Sequence, residues 1–110
     1  MPHDGPVKLR AQRWDRFIEH LQSAPAALPA ETRKSIFGTA AGRETTVPED
    51  LGPFVDTVAR HAYRVTDGQV AGLRAAGRSD DEIFEATVVA AAGAADRRLR
   101  AALRAMQGRR

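Results

Sequence analysis

His61, Tyr63, Arg64 and Asp67 put an imidazole, a phenol, a guanidinium and a carboxylate within one short stretch of chain. Together they could bind an acid or move a proton. The imidazole changes charge near neutral pH and can act as a base. The guanidinium can hold an anion at two points. Tyr63 and Asp67 would complete a small ligand site. The alternative is structural: an imidazole near a helix end can satisfy carbonyls left over there. His20 falls near the end of another predicted helix, as a surface or capping residue, and His3 lies in a loose start. The histidines are far apart, and no His-x-x-His, Glu-x-x-His or carboxylate cage accompanies them, so no metal site is predicted. Nor is there a nucleophile elbow or a phosphate-cradling glycine loop.

The elements that must position these residues are set by a corner just downstream. Thr66 precedes Gln69 by three positions, and Ser79 precedes Glu82 by three. Each pair is a capping box, in which a hydroxyl and a long polar side chain serve two otherwise unpaired amides. Val65 and Val70 have the spacing of a hydrophobic staple across the first cap. Gly77 supplies a left-handed residue between them. The spacing predicts a short helix over Asp67–Ala76 that turns sharply into a long helix from Asp80 to about Gln107.

Upstream, Trp14, Phe17, Ile18 and Leu21 share one face of a helix from Val7 to Ser23, which Pro25 should stop. A second helix is expected from Pro29 to Ala41, burying Ile36, Phe37 and Ala40, with Gly42 as terminator. Leu51, Phe54, Val55, Val58 and Ala62 have helical spacing as well. Pro53 leaves open whether that helix starts there or whether Pro48–Gly52 is a separate turn. The helix should end near Arg64. Residues 1–6 are expected to be disordered. Trp14, Phe17 and Phe84 are assigned to the core rather than to a pocket.

Along the last helix Phe84, Val88, Ala91, Ala95, Leu99, Ala102 and Met106 form a heptad-like stripe with an alanine-rich middle. Small side chains there permit close packing on another helix, in the same chain or in a second copy. With no strand predicted, the expected architecture is a single all-α domain over residues 1–110, a compact bundle of four to five helices with a long C-terminal helix.

Composition narrows the functions. The chain has no cysteine, so disulfides, thiolate metal sites and cysteine nucleophiles are excluded. Apolar residues make up 43%, but many are alanines and aromatics are only 5%, a thin core that favours association between chains. The start of the chain lacks a secretory pattern, and the most apolar window, Ala86–Ala95, is about half a membrane span. A cytoplasmic location and no membrane partner are expected. The net charge of +3 is mild, but no acid follows Asp96 while six arginines do. Arginines at a helix C-terminus complement its dipole, and also offer a patch to nucleic acid or an acidic partner.

The stretch from Arg60 to Asp67, followed by Val70 to Gly77 and Arg78-Ser79-Asp80-Asp81-Glu82-Ile83-Phe84-Glu85-Ala86, resembles the alkylhydroperoxidase-like superfamily, which includes the carboxymuconolactone decarboxylases. The resemblance covers roughly residues 48–106 and implies that fold. Redox members carry Cys-x-x-Cys and then a histidine before the glycine of the turn. Counted back from Gly77, the histidine position falls on Gly68 and the cysteine positions fall on Arg64 and His61. A family glutamate would fall near Glu49. Thiol peroxidase chemistry needs one sulfur to attack and another to resolve, and this chain has neither. The resemblance therefore implies the fold without the redox activity.

The reading is a non-redox alkylhydroperoxidase-like subunit that self-associates, as a dimer, trimer or hexamer, or binds a protein partner, with no cofactor. The alternative is a cofactor-free enzyme or small-ligand binder at the former dithiol position, with His61 as base, Arg64 as anion anchor, Glu49 as a further candidate, and Tyr63 and Asp67 as ligand contacts. A helix-turn-helix-like DNA-binding module is the third. It is disfavoured because Asp80, Asp81 and Glu82 would open its recognition helix, which would also be too long.

Overall fold

Both capping boxes form. Thr66 Oγ1 accepts the Gln69 amide at 3.1 Å, and Gln69 Oε1 accepts the Thr66 amide at 3.2 Å. Ser79 Oγ accepts the Glu82 amide at 3.1 Å, and Glu82 Oε1 accepts the Ser79 amide at 2.9 Å. The computed structural model describes residues 5–108. Among them are five α-helices: α1 (Pro6–Ser23), α2 (Ala30–Ala40), α3 (Gly52–His61), α4 (Asp67–Ala75) and α5 (Asp80–Gly108). A single 3₁₀ turn, Ala62–Arg64, joins α3 to the α4 cap, and no described residue lies in a strand. The expectation for residues 1–6 lies largely outside the described residues; Pro6 opens α1.

Gly77 has φ +102° and Gly42 has φ +93°, the left-handed conformation a helix stop requires. The Arg78 amide returns to Leu73 O, and the Arg43 amide to Gly38 O. The proline question resolves into both elements. Leu51 and Gly52 donate to Pro48 O in a turn of their own, and α3 then starts with Pro53 in its first turn. Proline costs no hydrogen bond there, because first-turn amides have no helical acceptor.

The core is built around the first half of α5. Ile83, Ala86, Val89 and Ala90 face Ile36, Phe37 and Ala40 of α2 and Leu51, Phe54, Val55 and Val58 around α3. Ile18 of α1, Leu28 of the α1–α2 loop and Leu73 of α4 close it. Gly93 marks the closest approach of α5 to α2: a Cβ there would lie 2.6 Å from Phe37 O and 2.8 Å from the Ala40 Cβ. The Glu85 carboxylate accepts the Ala27 and Leu28 amides at 2.9 and 2.8 Å, fastening the α1–α2 loop to α5. Arg78 grips Asp50 through two hydrogen bonds, of 2.7 and 2.9 Å, fixing the turn before α3 to the Gly77 corner.

Two core assignments are corrected. Phe17 is 48% exposed and Phe84 68% exposed; only Trp14 of the three aromatics is half-buried. Ala62 also lies outside the core, because the α-helix stops at His61 before that position can turn inward. For Phe84 the reason lies in α5. Its inner face already comprises Ile83, Ala86, Val89, Ala90 and Gly93, roughly half a turn away from the stripe that begins at Phe84.

Candidate functional site

His61 ends α3, and the 3₁₀ turn carries Tyr63 and Arg64 out around the corner. Tyr63 is 78% exposed. The His61 ring meets it edge-on at 5.9 Å, and the Arg64 guanidinium sits 5.7 Å from its centroid. These three stack on one another at the surface rather than around a hollow. Asp67, one turn on, is an exposed acid in the first turn of α4, where it complements the helix dipole. Glu49 is exposed in the Pro48–Leu51 turn. None of the five lines a cavity described below. The geometry joins His61, Tyr63 and Arg64, and leaves Asp67 and Glu49 without a hydrogen bond to them.

The heptad-like stripe of α5 faces away from this chain's own core. Phe84, Ala91, Ala95, Leu99, Ala102 and Met106 are exposed, Met106 to 66%, and Val88 is half-buried. α5 is thus apolar on two opposite faces.

No known family model, curated protein or solved structure matches this chain.

Three further arrangements escaped the sequence reading. Asp96 is only 2% exposed, with Trp14 Nε1 donating to it at 2.7 Å and Arg100 Nε at 2.9 Å. Arg100 also reaches Asp15 at 3.3 Å. Asp96 and the neighbouring carboxylate hold the Arg100 guanidinium even more firmly protonated than usual. The available signal was the four-residue spacing of Asp96 and Arg100 on a helix. Second, Arg33 is buried in α2, and nothing in its spacing announces this. Third, Arg97 and Arg98 flank a cleft of about 360 Å³ between α3 and α5, with Arg60 opposite and Ala59, Ala94 and Ala101 as floor. Arg60 is paired with Asp56 at 2.7 Å.

Among the described residues no group of three or more His, Asp or Glu side chains could hold a metal ion. No helix there is long and apolar enough to cross a membrane.

Proposed function

We propose that this chain is a non-redox, self-associating helical subunit of alkylhydroperoxidase-like kind, and that a second copy covers the outer stripe of α5. The observation that carries this reading is the outward orientation of Phe84, Val88, Ala91, Ala95, Leu99, Ala102 and Met106.

Two properties favour a second copy over an unrelated partner. The stripe runs from Phe84 to Met106 with Ala95 at its midpoint, so a two-fold axis at Ala95 brings each half against the other half of its mate. Alanines at the centre let the backbones approach closely. The reading with His61 and Arg64 as a cofactor-free site has less support, since both side chains are exposed and enclose nothing.

The test is the mass in solution. The chain weighs 11.9 kDa, and sedimentation should give twice that or a higher multiple. Ala95→Glu, at an exposed position, should return the monomer with its helicity unchanged. A wild-type monomer at tens of micromolar would overturn the reading, as would an assembly indifferent to Ala95→Glu.

A further inference from the structure

Arg33 is 3% exposed, yet it makes no ion pair among the described residues. Its Nε donates to Leu28 O at 3.1 Å and its Nη1 to Leu21 O at 2.7 Å. Both acceptors are neutral carbonyls, so the positive charge is solvated by dipoles but meets no anion. A buried guanidinium stays charged, and a buried charge without a counter-charge is costly. The third nitrogen, Nη2, makes no hydrogen bond. No buried side-chain nitrogen or oxygen among the described residues lacks a partner, so Nη2 is the corner of the group that is not sealed.

Arg33 lines a half-open slot of about 170 Å³ between the end of α1, the α1–α2 loop, α2 and the start of α5. Leu21, Phe84, Val88 and Val89 supply apolar walls, and His20 and Glu85 are its other titratable groups. Both Glu85 oxygens are already turned to the Ala27 and Leu28 amides. The volume is close to that of an apolar cavity, of about 150 Å³, that accepts benzene. A concave, mostly apolar lining with a few placed polar groups is how small-molecule sites are built, and Arg33 is the one of them here whose charge has no close partner.

We propose that this slot binds a small carboxylic acid with a ring-sized apolar body, its carboxylate on Arg33 Nη2 and its ring against Leu21, Phe84, Val88 and Val89. The acid supplies the anion that Arg33 lacks, and the walls desolvate the ring.

Benzoate is the probe, with benzyl alcohol and benzylamine as matched bodies of different charge. Each is titrated into the full chain and followed by amide and Arg33 side-chain NMR shifts. Benzoate should produce saturable shifts at Leu21, Arg33, Val88 and Val89, and bind at least about tenfold more tightly than benzyl alcohol. Benzylamine should not bind. Equal affinity for benzoate and the alcohol, preference for the amine, or no saturable shift in either the wild-type chain or Ala95→Glu would each overturn the proposal. Replacing Arg33 removes its bonds to the Leu21 carbonyl of α1 and the Leu28 carbonyl of the loop, and can unfold the chain. Ala24→Trp is therefore the test variant: Ala24 lines the slot from the end of α1, and a larger ring there should abolish benzoate binding without touching Arg33. Undiminished binding to that variant would also overturn the proposal. Phe84 and Val88 belong to the outer stripe too, so the titration is repeated on Ala95→Glu. Binding seen only there supports the slot and means that a second copy occludes it.

Discussion

Trp14 donates its indole N–H to Asp96 across 2.7 Å, joining α1 to α5 between residues 82 positions apart. The carboxylate is almost wholly buried, and its second oxygen is taken by Arg100, which reaches on to Asp15 of α1. Three polar side chains and one indole thus hold a seam whose apolar contacts are few.

Removing either partner should loosen that seam to different degrees. Trp14→Phe leaves Asp96 its bond to Arg100 and should cost about 1–2 kcal/mol. Asp96→Ala strands a half-buried indole N–H and deprives Arg100 of its nearer anion, at about 2–4 kcal/mol. Urea unfolding followed by circular dichroism measures both. Equal, negligible losses would mean that the seam contributes nothing.

Two of the helical glycines, Gly93 and Gly72, should respond in opposite directions. Gly93→Ala drives a methyl into Phe37 O and Ala40, and should destabilise by about 1–3 kcal/mol despite alanine's better helix propensity. Gly72→Ala, in α4 with nothing within 4 Å, should stabilise by about 0.5–1 kcal/mol. Thermal unfolding of the pair separates crowding from propensity.

Acid should weaken the Asp50–Arg78 tie in a predictable direction. Hydrogen bonds from Arg78 hold the Asp50 carboxyl below its ordinary value of 3.8. The folded state therefore binds that proton less readily than the unfolded chain does. The resulting stability is present above the ordinary aspartate range and is lost as pH falls through the depressed value. Asp50→Asn should cost about 0.5–1 kcal/mol at pH 7, as expected of a partly exposed pair. The gap between wild type and variant should close at low pH. A gap that stays constant from pH 7 to pH 2 would remove Asp50 as its source.

A charge swap tests the proposed axis at Ala95. Ala95→Glu and Ala95→Lys should each sediment as monomers, because like charges meet across the two-fold. An equimolar mixture should recover the wild-type mass. Failure of the mixture to associate, with both variants folded, would place the axis elsewhere.

The parts of the fold legible in the sequence are those written in local chemistry. Thr66, Ser79, Gly42 and Gly77 act within a few residues of themselves, so their spacing is enough. Ile36, Phe37 and Ala40 sit on a helix with one apolar face, so periodicity names the buried side. α5 has two, and periodicity cannot say which turns inward; Phe84 reads as core because aromatics are scarce in this chain, yet it lies on the outer face. Pro53 was ambiguous because a turn and a helix start both welcome proline. The types and nearness along the chain of the corner residues point to a cluster, and of these His61, Tyr63 and Arg64 do meet in space. Arg33 left no trace, because its partners are main-chain carbonyls of Leu21 and Leu28, which any residue carries. The arginine run after Asp96 was visible, but not that Asp96 itself is buried beneath it.

The position of α5 also bears on how the chain is made. Every other described α-helix packs on it, and it leaves the ribosome after all four. Until Val89 and Ala90 emerge, Ile36, Phe37, Val55 and Val58 lack the helix that covers most of them. Burial follows synthesis at a distance, so the nascent polypeptide carries the greasy surfaces of α2 and α3 only partly covered until α5 emerges. That is the interval in which a holding chaperone has something to hold.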